Sequence, residues 1–238
     1  MMLSYDDPAD ARVERGGKAA SMSMRDLFGD SPEDLPEGVS LQRAVFGPDE
    51  VGRQLALVAD VLARSAPFRP RMKNGTPFGH DIANCGQLGW VSDERGYRYA
   101  KRHPETGVQW PPIPEALRRA AAEAAERAGV PGFAPDACLI NLYGPKGRMG
   151  LHQDRDEANF AWPIVSFSFG ADAIFALGGQ ARRDPVTRFT LHEGDVLVLH
   201  GDARLRFHGV DRLRPVSGPR HPVVPEGGRI NLTFRRAA

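Results

Sequence analysis

From Ala137 onward the chain is written in short runs of alternating or continuous apolar residues, separated by Gly, Pro and Asp. That pattern belongs to strands rather than helices. It predicts strands over Ala137–Tyr143, Met149–Gln153, Ile164–Ser168, Ala173–Leu177, Arg188–Leu191, Val196–Leu199, Arg204–Gly209 and Arg229–Arg235. Eight short strands with turn residues between them fit a jelly roll, that is, a double-stranded β-helix. The most apolar stretch, Trp162 to Gly179, is broken by Ser166, Ser168, Gly170 and Asp172. It reads as two buried strands and a turn, not a membrane span. Asp211 to Gly228, with four prolines, reads as an irregular loop.

The first half of the chain has a different rhythm. Val39–Ala44 predicts a short strand. Pro48-Asp49-Glu50 marks a helix start, with proline in the first turn and acids at the positive end of the dipole. Val51, Leu55, Val58 and Leu62 then recur at helical spacing. Pro114 to Ala128 predicts a second helix, ended by Gly129. Between the helices, residues 68–114 are rich in Gly, Pro, Asn and aromatics, with short strands expected at Asp81–Ala83 and Tyr97–Tyr99. Long aromatic loops of this kind are usually binding loops. Residues 1–37 are polar and lack periodicity, so they predict a flexible arm. The expected architecture is mainly β with flanking helices: an arm (1–37), helices and a lid (38–136), and a strand core (137–236).

Composition narrows the possibilities. The chain has 238 residues, enough for one large domain, and a formal net charge of +1, so no global basic field draws in nucleic acid. A local basic groove remains open, because Arg204 to Arg236 is arginine-rich. Cys85 and Cys138 do not make a disulfide framework and fit a reducing cytoplasm. The N-terminus lacks the basic and apolar regions of a signal peptide. A cytoplasmic monomer without membrane attachment is expected.

Candidate chemistry begins at His152 and Asp154. Residues two apart on a strand face the same side, and His208 follows in a separate apolar-flanked segment. Two histidines and one carboxylate on a β scaffold form the facial triad of a non-haem Fe(II) oxygenase, which leaves metal positions open for an oxidant and a bidentate co-substrate. Alone, His-X-Asp is more often a surface turn or a satisfied core pair. The last strand adds weight. Alternation puts Arg229, Asn231, Thr233 and Arg235 on one face and Ile230, Leu232 and Phe234 on the other. A face carrying two guanidinium forks and two neutral donors suits a dicarboxylate.

Taken with the blocks Asn84-Cys-Gly-Gln-Leu-Gly-Trp90, Arg95-Gly-Tyr97-Arg-Tyr99, Asn141-Leu-Tyr143, His152-Gln-Asp154-Arg-Asp156-Glu157, Gly194-Asp-Val-Leu-Val, Phe207-His208-Gly209 and Arg229-Ile-Asn-Leu-Thr-Phe-Arg235, the region from Gly38 to Arg236 resembles the AlkB family of Fe(II)- and 2-oxoglutarate-dependent dioxygenases. The resemblance implies a jelly roll with an N-terminal nucleotide-recognition lid. It makes His152, Asp154 and His208 the iron ligands. It assigns 2-oxoglutarate to Arg229 (far carboxylate), Arg235 (carboxylate at the metal), Asn141, Tyr143, Asn231 and Thr233. The implied reaction consumes O2 and 2-oxoglutarate, releases succinate and CO2, and hydroxylates an N-alkyl carbon that then leaves as an aldehyde. A base reaches such a site by leaving the stack. Trp90, opposite His208, resembles the family's stacking residue. Tyr97, Arg98 and Tyr99 resemble lid residues near the nucleotide backbone. Asp156 would meet the exocyclic nitrogen of a cationic lesion such as 1-methyladenine or 3-methylcytosine, and Arg182 matches a substrate-binding position. Partners are then alkylated single- or double-stranded DNA, or RNA. Leu199 departs from the aromatic that the best-known bacterial members carry near the pocket.

Other readings stay open at this point. Asp156 is also a surface acid in a charged run, and Arg182-Arg183 a solvated turn. The scaffold also suits a protein or small-molecule hydroxylase, or a non-catalytic nucleic-acid reader. A zinc hydrolase fits less well, since no general-base carboxylate sits beside an H-x-x-x-H pair.

Overall fold

A computed structural model describes residues 35–214 and 221–238. The expected arm therefore lies outside the described residues except for Leu35–Glu37, of which Leu35 packs against the core. In chain order the elements are β1 (Val39–Gln42), α1 (Pro48–Arg64), β2 (Asp81–Gly86), β3 (Gly89–Asp93), β4 (Gly96–Ala100), α2 (Glu115–Arg127), β5 (Ala137–Tyr143), β6 (Met149–His152), β7 (Ile164–Gly170), β8 (Asp172–Leu177), β9 (Thr187–Leu191), β10 (Val196–Leu199), a 3-10 turn (Gly201–Leu205), β11 (His208–Arg214) and β12 (Arg229–Arg235).

Three sheets result among the described residues. The large one has the order β1-β10-β7-β12-β5-β2, the smaller one β6-β11-β8-β9, and β3-β4 form a separate hairpin. Strand alternation decides what lies on each face of the large sheet. Val165, Phe167, Val196, Val198, Ile230, Leu232 and Phe234 point to one side and bury against Val51, Leu55 and Val58 of α1 and Leu117 and Ala121 of α2. Each such buried Val, Leu or Phe contributes roughly 1.5–3 kcal/mol. The opposite face turns towards the small sheet. There Ile164, Leu197 and Leu199 pack with Phe175, Leu177 and Phe189. The row Arg229, Asn231, Thr233 and Arg235 belongs to this inner face.

Four expectations need correction. The strand from Val39 stops at Gln42, because Ala44 adopts a φ of 48° and gives its N–H to Asp195 Oδ1 at 2.9 Å. Arg204 is not in a strand. It sits in the 3-10 turn, where its guanidinium is fully buried against Glu157 and main-chain oxygens. β11 starts only at His208 and runs on to Arg214, inside the stretch expected to be irregular; exposed Asp211 and Arg212 and a register shift against β8 hid its period. Finally, β6 ends at His152, so Asp154 lies beyond the strand and strand alternation does not orient it.

Candidate active site

β6 and β11 pair so that His152 and His208 are register partners. The approach is close: a Cβ on Gly209 would lie 2.5 Å from the Met149 carbonyl oxygen, so glycine beside His208 lets the two histidines face each other. Their ring centroids are 4.5 Å apart. Each ring is fixed from behind, His152 Nδ1 at 3.0 Å from the Gly150 carbonyl and His208 Nδ1 at 3.0 Å from the Arg206 carbonyl. With Nδ1–H donating to a carbonyl, Nε2 is left as a bare lone pair, the tautomer a metal needs. Both Nε2 atoms face Asp154, at 3.6 Å from Oδ1 and 4.0 Å from Oδ2 respectively. One ligand atom from each residue lies within 4.8 Å of the others.

Tertiary contacts orient Asp154 where the strand does not. Arg204 Nη1 donates to its carbonyl at 2.8 Å, and Arg235 Nη2 to its carboxylate at 2.5 Å. Arg204 and Arg235 also grip buried Glu157, at 2.8 and 3.1 Å. Burial alone would raise the Asp154 carboxyl. Arg235 chiefly, with the two histidines, more than offsets this and holds it well below the usual carboxylate range. Burial pushes His208 down to about 4, so both groups could take a cation at neutral pH. Two imidazoles and one ionised carboxylate beside an open cavity fit Fe(II).

That cavity, of about 660 Å³, runs from the triad to the β3–β4 hairpin. On its inner wall Asn141, Tyr143, Asn231, Thr233 and Arg235 stand together on the paired strands β5 and β12. Thr233 Oγ1 donates to Asn231 Oδ1 at 3.0 Å, and Asn141 Nδ2 donates to the same oxygen at 3.3 Å. Burial keeps the Tyr143 hydroxyl protonated. Arg229 ends the row, as register partner of Tyr143 behind the lining. It is 1% exposed and its Nη2 donates to Ser168 Oγ at 2.6 Å, while its Nε has no partner. Burial lowers its pKa to about 10. A buried guanidinium with an unused N–H and, among the described residues, no ion-paired carboxylate suits an anionic ligand group.

At the other end, Trp90 and Tyr97 stack at 5.6 Å, and Trp90 Nε1 donates to Asp156 Oδ2 at 2.7 Å. Asp156, Tyr97 and Arg182 all border the cavity. Arg182 donates to the Leu151 carbonyl at 3.0 Å and covers Phe207. His208 borders the cavity too, with its ring stacked on Phe175 at 5.9 Å. Leu199 is on the apolar wall. Arg98 and Tyr99 are not among the lining residues. Arg98 makes two bonds to Asp93, at 2.7 and 2.8 Å, and Tyr99 donates to Glu157 at 2.7 Å.

Sequence reasoning did not single out three residues of this region. Arg204 and Glu157 carried a faint signal, as an arginine between apolar residues and an acid in a charged run. His80, against Asn141 and Tyr143, carried none, because the sheet alone brings it there.

A profile of the 2OG-Fe(II) oxygenase superfamily matches residues 41–235. The chain is 50% identical over 191 residues to the alpha-ketoglutarate-dependent dioxygenase AlkB homolog of Caulobacter vibrioides (strain NA1000 / CB15N), covering 79% of this chain and 84% of that protein. It is 41% identical over 222 residues to alpha-ketoglutarate-dependent dioxygenase AlkB of Escherichia coli (strain K12), covering 90% and 98%. The solved structure of OsALKBH1 superposes with a TM-score of 0.74 at 30% identity, over 86% of this chain and 99% of that one. Among the described residues no helix is long and apolar enough to cross a membrane. The fold, the inner arginine row and these relatives lead to one assignment: the chain belongs to the AlkB family of 2OG-Fe(II) oxygenases, which use Fe(II), 2-oxoglutarate and O2.

Proposed function

We propose that this enzyme oxidatively demethylates N-alkylated bases, 1-methyladenine and 3-methylcytosine foremost, in DNA or RNA, as a monomeric repair enzyme of the cytoplasm. The observation that carries the reading is the continuity of one cavity from the His152, Asp154, His208 triad to Trp90, Tyr97 and Asp156. A flipped base has a π surface on the indole and a carboxylate to accept its exocyclic N–H. The carboxylate also favours a positively charged lesion.

The residues divide the work. His152, Asp154 and His208 hold Fe(II), which with O2 and 2-oxoglutarate supplies the oxidising power for hydroxylation of the methyl carbon. Arg229 takes the far carboxylate of 2-oxoglutarate and Arg235 the near one, while Asn141 and Tyr143 donate from the side. Asp156 and Trp90 hold the base so that its methyl group faces the metal, a positioning role. The hydroxymethylated nitrogen then sheds formaldehyde, leaving the unmodified base, with succinate and CO2 as the other products.

Mass spectrometry of a single-stranded 3-methylcytosine oligonucleotide, incubated with protein, Fe(II), 2-oxoglutarate and air, tests this. Loss of one CH2 from the oligonucleotide, matched by succinate, is the expected result. Succinate formation with an unchanged oligonucleotide would move the reading to a protein or small-molecule hydroxylase.

A further inference from the structure

His80 is in the loop before β2, on the cavity wall, 3% exposed. Its ring lies 4.3 Å from that of Tyr143, and its Nε2 is 3.1 Å from Asn141 Oδ1. Its Nδ1 is buried without a hydrogen-bond partner. Nothing in the triad or the arginine row requires a histidine here, and a buried ring nitrogen left bare is costly. The reason for its presence lies in the amides beside it.

Those amides form a chain with one possible direction. Asn231 lies 2.9 Å from the main-chain carbonyl of Phe167. A carbonyl only accepts, so the Asn231 atom facing it is the NH2 group. Its Oδ1 therefore points the other way and accepts from Thr233 Oγ1 and from Asn141. The Asn141 atom facing Asn231 is then its NH2 group, and Asn141 Oδ1 must face His80. That oxygen can only accept, so Nε2 of His80 carries the proton and donates. Burial keeps the ring neutral, with a pKa of about 4; its single N–H is thus committed to Asn141 and Nδ1 is left bare. The donor at His80 fixes the Asn141 oxygen on that side and turns its NH2 group to the inner wall, where, among the described residues, the Tyr143 hydroxyl reaches just the Met149 sulfur, at 3.9 Å.

We propose that His80 is a positioning residue for the co-substrate: by donating to Asn141 Oδ1 and backing the ring of Tyr143, it presents an N–H and an O–H, rather than a carbonyl oxygen, to 2-oxoglutarate. This rests on the reading of Asn141 as a co-substrate donor. A bare amide oxygen turned towards a dicarboxylate would repel it, so the orientation matters more than the contact itself. The effect belongs to 2-oxoglutarate binding, not to the chemical step.

The test uses the full chain loaded with Mn(II), without O2 or nucleic acid, titrated with 2-oxoglutarate by calorimetry. His80→Phe keeps the ring against Tyr143 and removes the donor, while His80→Gln returns a donor. His80→Phe is expected to weaken 2-oxoglutarate by about three- to tenfold, the scale of one hydrogen bond. His80→Gln is expected to recover most of that loss. With Fe(II), the same variants raise KM for 2-oxoglutarate and leave kcat within about twofold. His80→Leu serves in the same comparison if the Phe variant does not fold. Wild-type affinity in His80→Phe overturns the proposal, and so does a Gln variant as weak as the Phe one. Asn141→Ala locates the fault. If it too binds normally, the reading of Asn141 has failed; if it alone is weakened, His80 is the error.

Discussion

Around His152, Asp154 and His208 the polar side chains are buried and tied to one another: Asp154 to Arg235, Arg235 to Glu157, Glu157 to Arg204 and Tyr99. At the mouth, Tyr97 is 48% exposed, and Arg182 reaches one main-chain carbonyl and the face of Phe207. The inner end is fixed before any substrate arrives, because a buried network loses heavily when one member moves. The mouth has fewer such ties and can change its contacts at little cost. The contrast predicts that inner substitutions act on every substrate alike, whereas outer ones discriminate among substrates.

The largest effect falls on the triad. His152→Ala, Asp154→Ala and His208→Ala should each abolish 2-oxoglutarate-dependent succinate release on any oligonucleotide, while circular dichroism shows a folded protein. Substantial turnover by any of the three would remove that residue from the ligand set. Next comes the arginine row. Arg235→Ala strands the buried carboxylate of Asp154 and leaves Glu157 with Arg204 as its one remaining cation, and breaking a buried pair costs about 3–5 kcal/mol; urea denaturation should show it, together with loss of turnover. Among the described residues Arg229 is in no ion pair, so Arg229→Ala breaks none. It should chiefly raise the 2-oxoglutarate concentration required, by about one to two decades for a charge-assisted contact worth roughly 1.5–3 kcal/mol. Equal destabilisation by both variants would break the contrast drawn within the row.

Asp156 stands at the border of the two regions. It is two residues past Asp154 yet bonded to Trp90 of the hairpin. Asp156→Ala should slow 1-methyladenine and 3-methylcytosine more than the neutral 1-methylguanine and 3-methylthymine, by up to about two decades for a contact of roughly 1–3 kcal/mol. Succinate release without nucleic acid should be largely spared. Four oligonucleotides of one sequence, each with one lesion, give the comparison. Equal slowing on all four would make Asp156 a support for Trp90 and not a reader of the base.

How much of this could be read in the chain differs between the same two regions. The inner end follows from strand period: Arg229 to Arg235 alternates cleanly, and its apolar partners Ile230, Leu232 and Phe234 are all fully buried. Seven of the eight core strands lie where period two predicts them. The exception is Arg204–Gly209, where a charged side chain buried by ion pairing looked like an exposed strand position. Asp154 was legible as a candidate beside His152, but what turns it towards the histidines was not, since its orientation comes from Arg204 and Arg235, 50 and 81 residues away. The mouth was harder. Short strands with exposed faces carry little hydrophobic signal, so β3 was not expected as a strand, and the side to which Arg98 points was not fixed.

Arg98 gives the smallest predicted effect and separates a charged neighbour of the mouth from a residue of the mouth. Alternate residues of a strand face opposite ways. In β4, Tyr97 stacks on Trp90 beside the cavity, so Arg98 points to the other face. Its two bonds to Asp93 hold that carboxyl down at about 2. The pair is exposed on both sides, 36% and 39%, and such a pair is worth only about 0–1 kcal/mol. Arg98→Ala should therefore leave stability and demethylation nearly unchanged. Tyr97→Ala removes an aromatic platform and should weaken oligonucleotide binding by roughly 1–3 kcal/mol. Salt titration adds a sharper readout. A lysine or arginine on a phosphate contributes close to one counterion to the slope of log K against log salt. The slope should be the same for Arg98→Ala and wild type. A slope lower by about one would mean that Arg98 leaves Asp93 to meet the nucleic-acid backbone, and the boundary of the mouth would have to be redrawn to include the outer face of β4.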